Sequence, residues 1–195
     1  MAKKESTIFN MVATMFVITL VSSGVLAMLH EVTKEPIALA KQKEIRDKLK
    51  VVLPEFDNNP VEEAYNMMSA DEAGELKFYP AKKDGEMVGT AVETFTRQGF
   101  GGEVKLMVGF LPDGTINEID VILPHKETPG LGDKMENGKS DFHVQFRGKN
   151  PEDFQLVVKK DGGDVDAITA STISSRAYCD AVRRAYDTFI KGGDR

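Results

Sequence analysis

Between Ser6 and His30 the chain carries no formally charged residue, the longest such stretch in its 195 residues. Within it, Ile8 to His30 holds 16 apolar side chains in 23 positions. As a helix rising ~1.5 Å per residue, those positions reach about 35 Å, enough to cross a hydrocarbon layer of roughly 30 Å. The polar residues inside, Asn10, Thr14, Thr19, Ser22 and Ser23, are short enough to bond to the preceding turn or to a neighbouring helix. A buried core helix would need a domain large enough to surround it, which the remaining chain hardly supplies. A cleaved leader is the sharper competitor, with Lys3 and Lys4 as its basic start and Val25-Leu26-Ala27 as its small-residue site. The apolar run exceeds the ~7–15 residues of such leaders, so residues 1–30 are read as a cytoplasmic tip and a retained membrane anchor. Lys3 and Lys4 before the span, against Glu31 and Glu35 after it, place the N-terminus in the cytoplasm and residues 31–195 outside.

Charge and composition limit what the exported part does. The whole chain has 25 basic and 31 acidic residues, a net −6; without Lys3, Lys4 and Glu5 the remainder stands at −7. No basic stripe is present to neutralise phosphates, so a nucleic-acid partner is not expected. The single cysteine, Cys179, excludes an internal disulfide and a multi-cysteine metal or cluster site. His30, His125 and His143 are too scattered to suggest a metal centre.

The hydrophobic period divides the rest. Ile37, Ala40, Ile45, Leu49 and Val52 recur at helical spacing, predicting a leading helix from Thr33 to Val52 with Pro36 in its first turn and Pro54 ending it. Asp57 to Gly74 is polar and acidic, with Met67 and Met68 tacking it down. Leu76–Tyr79, Met87–Phe95, Val104–Leu111 and Thr115–Leu123 are rich in β-branched and aromatic residues, and Asp84-Gly85 and Asp113-Gly114 mark hairpins between them. Gln155–Val158 is read as a further strand, followed by a turn at Asp161-Gly162-Gly163. From Ser174 to Ile190, Ala177, Ala181, Ala185 and Phe189 fall four apart, predicting a final helix stopped by Gly192-Gly193. The expected class is α+β: an antiparallel sheet packed with helices, residues 31–54 leading and 75–195 as the core.

Three segments carry candidate chemistry. Gly99-Phe100-Gly101-Gly102 lacks the Gly-Lys-Ser/Thr of a nucleotide loop and is read as a glycine-rich bend allowing close backbone approach. His125 to Gly132 holds two glycines and a proline that fix a tight loop whose N–H groups suit a flat or anionic ligand. His125 and Glu127 within it form a weak acid/base pair without a nucleophile pattern, the basis for an alternative reading as an exported hydrolase. The third is Asp166 to Ser175, with five hydroxyls in its last seven residues. Capping by Thr172 or Ser174 needs only one of them. A helix start also gathers free N–H donors and the positive end of the dipole, which suits a phosphate, held either as a free ligand or as an ester. Residue chemistry alone leaves the choice of hydroxyl open. A membrane-anchored binding module in which the cluster only caps a helix is the other alternative.

Asp166-Ala167-Ile168-Thr169-Ala170-Ser171-Thr172 resembles the D-x-x-[S/T]-[G/A]-[A/S]-T flavinylation motif of the FMN-binding domain family. Glu127-Thr128-Pro129-Gly130-Leu131-Gly132 is similar to that family's flavin-side loop, and Gly99 to Gly102 to its G-[YF]-x-G segment. With the anchor and this length, the chain resembles the G subunits of Rnf electron-transport complexes; the C subunits of Na⁺-translocating NADH:quinone reductases share the motif, usually on longer chains. The resemblance implies FMN esterified through its phosphate to Thr172 by a flavin transferase, and a role as electron carrier where ferredoxin and NAD chemistry drives Na⁺ or H⁺ movement. It implies that Asp166, Thr169, Ala170, Ser171 and Ser174 belong to the cofactor site, with Asp166 and Thr169 read by the transferase, and that Glu127 to Gly132 line the flavin. The implied partners are the other subunits of the complex, the transferase and membrane lipid. One departure stands out: Ala170-Ser171 occupies the place where the commonest form has Gly-Ala.

Overall fold

The structure is a computed structural model describing residues 7–193, so Lys3 and Lys4, on which the orientation rests, lie outside the described residues. The chain divides into two units, one running to Ile45 and the other from Arg46 onward. Helix α1 runs Ile8–Val52; its part up to Ile45 makes up the first unit, and its last turns belong to the second. Its apolar side chains from Ile8 to Leu29 are exposed, and the helix is long and apolar enough to cross a membrane. Thr14, Thr19 and Thr33 each donate their hydroxyl to the carbonyl four residues back, which satisfies them without a partner chain. No break separates the span from the expected leading helix: Pro36 sits inside α1 rather than in a first turn. On an exposed face proline forfeits one backbone bond, and the flanking turns carry the helix through.

In the second unit, five strands form an antiparallel meander in chain order: β1 (Tyr65–Met68), β2 (Glu75–Lys83), β3 (Glu86–Gly99), β4 (Gly102–Phe110) and β5 (Ile116–Ile122). The four expected strands are all present, and both Asp-Gly hairpins stand, with Asp84 at φ +53° and Gly85 and Gly114 also left-handed. β1 is an addition: Met67 and Met68 pair with Leu76 and Glu75, so the sheet begins before residue 75. Gln155–Val158 is not a strand; only an isolated bridge joins Val158 to Val165. Helix α2 runs Thr172–Gly193, starting two residues before the expected Ser174.

Alternation along the strands sets two faces. Leu76, Phe78, Val92, Val104, Leu106 and Val108 point to the main core, where Ala181, Val182 and Ala185 of α2 meet them. Phe110 stacks on Phe189 at 5.0 Å, and Tyr178 sits edge-on to Phe142 at 5.1 Å. Burying a side chain of this size contributes roughly 1.5–3 kcal/mol. The opposite face buries Tyr79, Ala91 and Met107, and there the last turn of α1 is fastened. Lys48 Nζ reaches Asp120 at 2.9 Å and the Val121 carbonyl at 2.7 Å, and Asn117 donates to the Val52 carbonyl at 2.8 Å. A Cβ on Gly109 would lie 1.9 Å from that same carbonyl, so this crossing requires glycine.

The segment before β2 is held to α2 by charge. Arg184 pairs with Asp71 at 2.8 Å and with Asp180 at 3.0 Å, and Thr96 donates to Asp180 at 2.7 Å. Burial opposes ionisation of Asp71, but hydrogen bonds from Ser69, Arg184 and the Ala73 N–H outweigh it and hold its carboxyl below the usual 3.8. A depressed carboxylate contributes stability that is complete above its unfolded value and lost as pH falls through the folded one. Asp71→Asn is therefore expected to lower stability at pH 6 and to shrink the decline between pH 4 and pH 2; urea unfolding across that range measures both. An unchanged acid slope would show that the pair contributes nothing.

Candidate functional site

β4 begins and β5 ends at the same end of the meander, since Lys105 pairs with Ile122. The chain leaves β5 there and forms the loop holding Glu127 to Gly132. Thr128, Pro129, Gly130 and Leu131 make a turn of type II character: proline is second, Gly130 is third at φ +78°, and the Leu131 N–H bonds to the Thr128 carbonyl at 3.1 Å. Pro129 and Gly130 are exposed and set the turn, while Thr128, Leu131 and Gly132 face inward to a cleft.

His125 steadies the loop from below. Its Nδ1 accepts the Glu127 N–H at 3.2 Å, so the ring proton lies on Nε2, 2.9 Å from the Glu136 carboxylate. Lys139 joins Glu136 at 2.7 Å and Asp133 at 3.0 Å. No hydrogen bond joins the His125 and Glu127 side chains, so the two do not form an acid/base pair in this arrangement.

The β3–β4 turn closes the site on a second side. Gly101 lies so near the loop that a Cβ would fall 1.9 Å from the Lys126 carbonyl oxygen. The close approach expected of the glycine-rich bend is thus to the chain's own backbone, and it brings the Gly101 N–H to Glu127 Oε1 at 2.9 Å. Phe100, held between these glycines, projects outward at 68% exposure.

The start of α2 forms the third side. The turn from Ile168 to Ser171 closes through the Ser171 N–H and the Ile168 carbonyl at 2.9 Å, and places Ala170 at φ +61°. Ser175 clamps it, accepting from the Ile168 N–H and donating to the Ser171 carbonyl. Ser171 donates to Ser174 at 2.9 Å, and Ser174 donates to Glu127 Oε2 at 2.5 Å. Neither serine side chain is spent on capping the first turn, whose N–H groups have no partner within the helix. Thr172 is half-buried, and among the described residues its hydroxyl has no hydrogen-bond partner.

These three sides enclose a cleft of about 340 Å³, within the usual range for small-molecule sites. Glu127, Thr128, Leu131, Gly132, Ala170, Ser171, Thr172 and Ser174 of the expected residues line it, together with Phe100 and Ile173. Phe100 and Ile173 lie within two of the candidate segments but are not among the residues the resemblance assigns to the cofactor; an aromatic residue placed between glycines at a strand turn is the available signal. Asp166 and Thr169 lie elsewhere, on a neighbouring depression of about 410 Å³ with Lys134, Asp141 and Gln145. Asp166 pairs there with Lys159 at 2.7 Å. Cys179 is buried in α2, and burial pushes its thiol up to about 12, so it stays neutral and serves in packing.

Residues 99–187, which include every residue of the cleft, match the family described as FMN-binding domain. The chain thus carries an FMN-binding domain, and the cleft belongs to it. Relatives named as the G subunit of an ion-translocating oxidoreductase complex include one from Vibrio cholerae, 36% identical over 176 residues, covering 86% of this chain and 83% of the relative. Others are from Shewanella oneidensis, 37% identical over 174 residues with 85% and 82% covered, and Erwinia tasmaniensis, 37% over 180 residues with 88% and 84% covered. The chain belongs to this family of G subunits.

Ala170 carries the site's clearest backbone cost, because an L-residue in the left-handed region loses roughly 1–2 kcal/mol. Glycine removes that cost, although its freer unfolded chain gives back about 0.4–1 kcal/mol. Ala170→Gly is expected to stabilise the chain by about 0.5–1 kcal/mol, read from chemical unfolding. A destabilised variant would mean that the methyl group packs favourably in the cleft wall.

Proposed function

We propose that the chain is an electron-carrier subunit of a membrane-bound, ion-translocating oxidoreductase of the Rnf type, with FMN joined through its phosphate to Thr172 Oγ1. The observation that carries this is the condition of the five hydroxyls. Ser171, Ser174 and Ser175 are buried and hydrogen-bonded to the protein's own groups, and Thr169 lies on another depression. Thr172 alone of the five both lines the cleft and has a hydroxyl unengaged among the described residues.

The residues fit the cofactor. Free N–H groups and the positive dipole end at the start of α2 favour the phosphate. Phe100, Leu131 and Ile173 offer exposed apolar surface of the kind a flat ring system covers. FMN supplies the redox chemistry when bound. The chain's part is to tether it at Thr172, to enclose it with the Glu127–Gly132 loop, and to exclude water from one side. Asp166 and Thr169, on their separate depression, are placed for reading by the flavin transferase rather than for contact with the ring.

In this proposal residues 1–30 are the anchor in lipid and residues 31–195 face the outer side, where other subunits exchange electrons with the flavin and the complex couples ferredoxin and NAD chemistry to Na⁺ or H⁺ movement. Expressed with a flavin transferase, the full chain is expected to give a denaturing-gel band that fluoresces under ultraviolet light, and Thr172→Val a dark one. A dark wild-type band sinks the reading. Protease added to the outer face of intact cells is expected to digest the C-terminal unit; full protection would reverse the orientation.

A further inference from the structure

We propose that Glu127 and Ser174 decide which hydroxyl of the adjacent Ser171–Thr172 pair takes the flavin phosphate, by holding Ser171 in a one-way hydrogen-bond chain. The inference rests on the covalent attachment proposed above and concerns its selectivity. Two neighbouring hydroxyls border one cleft, and the commonest form of the family's motif has alanine where this chain has Ser171. The additional serine creates a competitor that an alanine would not.

The geometry disables that competitor. A serine hydroxyl has one proton to give. Ser171 gives its proton to Ser174 Oγ at 2.9 Å, and Ser174 gives its own to Glu127 Oε2 at 2.5 Å. A carboxylate only accepts, so the chain has a single direction, ending at Glu127, whose other oxygen is taken by the Gly101 N–H. Ser171, Ser174 and Glu127 are 8%, 1% and 5% exposed. Thr172, one residue along, is half-buried and outside the chain.

The transfer itself treats the two hydroxyls alike in chemistry. An alcohol oxygen attacks the flavin-side phosphorus of a flavin dinucleotide, a new O–P bond forms, the phosphoanhydride P–O bond breaks, and a nucleoside monophosphate leaves. The hydroxyl proton passes to a base of the transferase or to water, and no electrons change hands. Thr172 meets this requirement as it stands. Ser171 must first give up Ser174 and emerge from the wall. Glu127 and Ser174 are thus positioning residues: they touch no reacting atom, yet they set where reaction occurs.

Two substitutions release Ser171 by different routes. Ser174→Ala deletes the acceptor of its proton. Glu127→Gln keeps the volume and an oxygen for Gly101, but its amide N–H donates to Ser174, which turns the Ser174 proton toward Ser171 and frees the Ser171 proton. The full chain is expressed with a flavin transferase, and its flavin-bearing peptides are mapped by mass spectrometry. The wild type is expected to carry flavin on Thr172 alone, and Thr172→Val only a trace, on Ser171. In Thr172→Val combined with Ser174→Ala or with Glu127→Gln, flavin is expected on Ser171, up to about tenfold above Thr172→Val alone, as befits losing one restraining hydrogen bond. Adding Ser171→Ala should abolish it. Circular dichroism and thermal unfolding identify variants that fold. Folded double variants as dark as Thr172→Val overturn the proposal, as does wild-type protein carrying flavin on Ser171. A wild type with no flavin anywhere removes the attachment itself and this proposal with it, whereas a modified wild type with dark double variants removes this proposal alone.

Discussion

A buried carboxylate, without a cationic partner among the described residues, holds the site together. Glu127 receives the Gly101 N–H on one oxygen and the Ser174 hydroxyl on the other. Ionised groups are costly to remove from water unless each oxygen finds a donor, so the loop, the β3–β4 turn and the start of α2 are mutually obliging. Glycine makes their approach possible: a Cβ at Gly99 or Gly132 would collide with this carboxylate, and one at Gly101 with the adjoining backbone. The spacing of glycines in two separate motifs therefore follows from one side chain placed between them.

Much of the architecture was legible because its signals are local. The uncharged run, the two Asp-Gly pairs and the four-residue interval of alanines in α2 each depend on neighbours within a few positions, and each corresponds to an observed element. The errors came where distant contact overrides local pattern. β1 reads as polar loop, with no alternation to mark it, yet it pairs with β2 across the sheet edge. Gln155 to Val158 has the composition of a strand, but only Val158 finds a bridge. Pro36 suggested a helix start, whereas the apolar residues before it continue in the same helix.

The site was legible in part and for the same reason. Two motifs named the loop and the helix start, but sequence could not tell that Thr169 and Asp166 turn toward a different depression than Thr172. That separation arises from the turn at Ile168–Ser171, which reverses the chain through Ala170. Nor does spacing tell the five hydroxyls apart; burial and hydrogen bonding distinguish them, because Glu127, 47 positions away from Ser174, stands beside it.

The chain-ordered meander has a consequence for biosynthesis. Each strand pairs with the one just before it, so the sheet asks for little more than short loop closures and is available as soon as β5 has been made. The wall containing Thr172 belongs to the last helix, and Gly101 and Glu127 meet Ser174 only when that helix has docked. A ribosome-bound intermediate can hold a finished sheet and still have no cleft. On the proposed function, cofactor loading waits for α2 to dock, since the sheet by itself does not present the geometry.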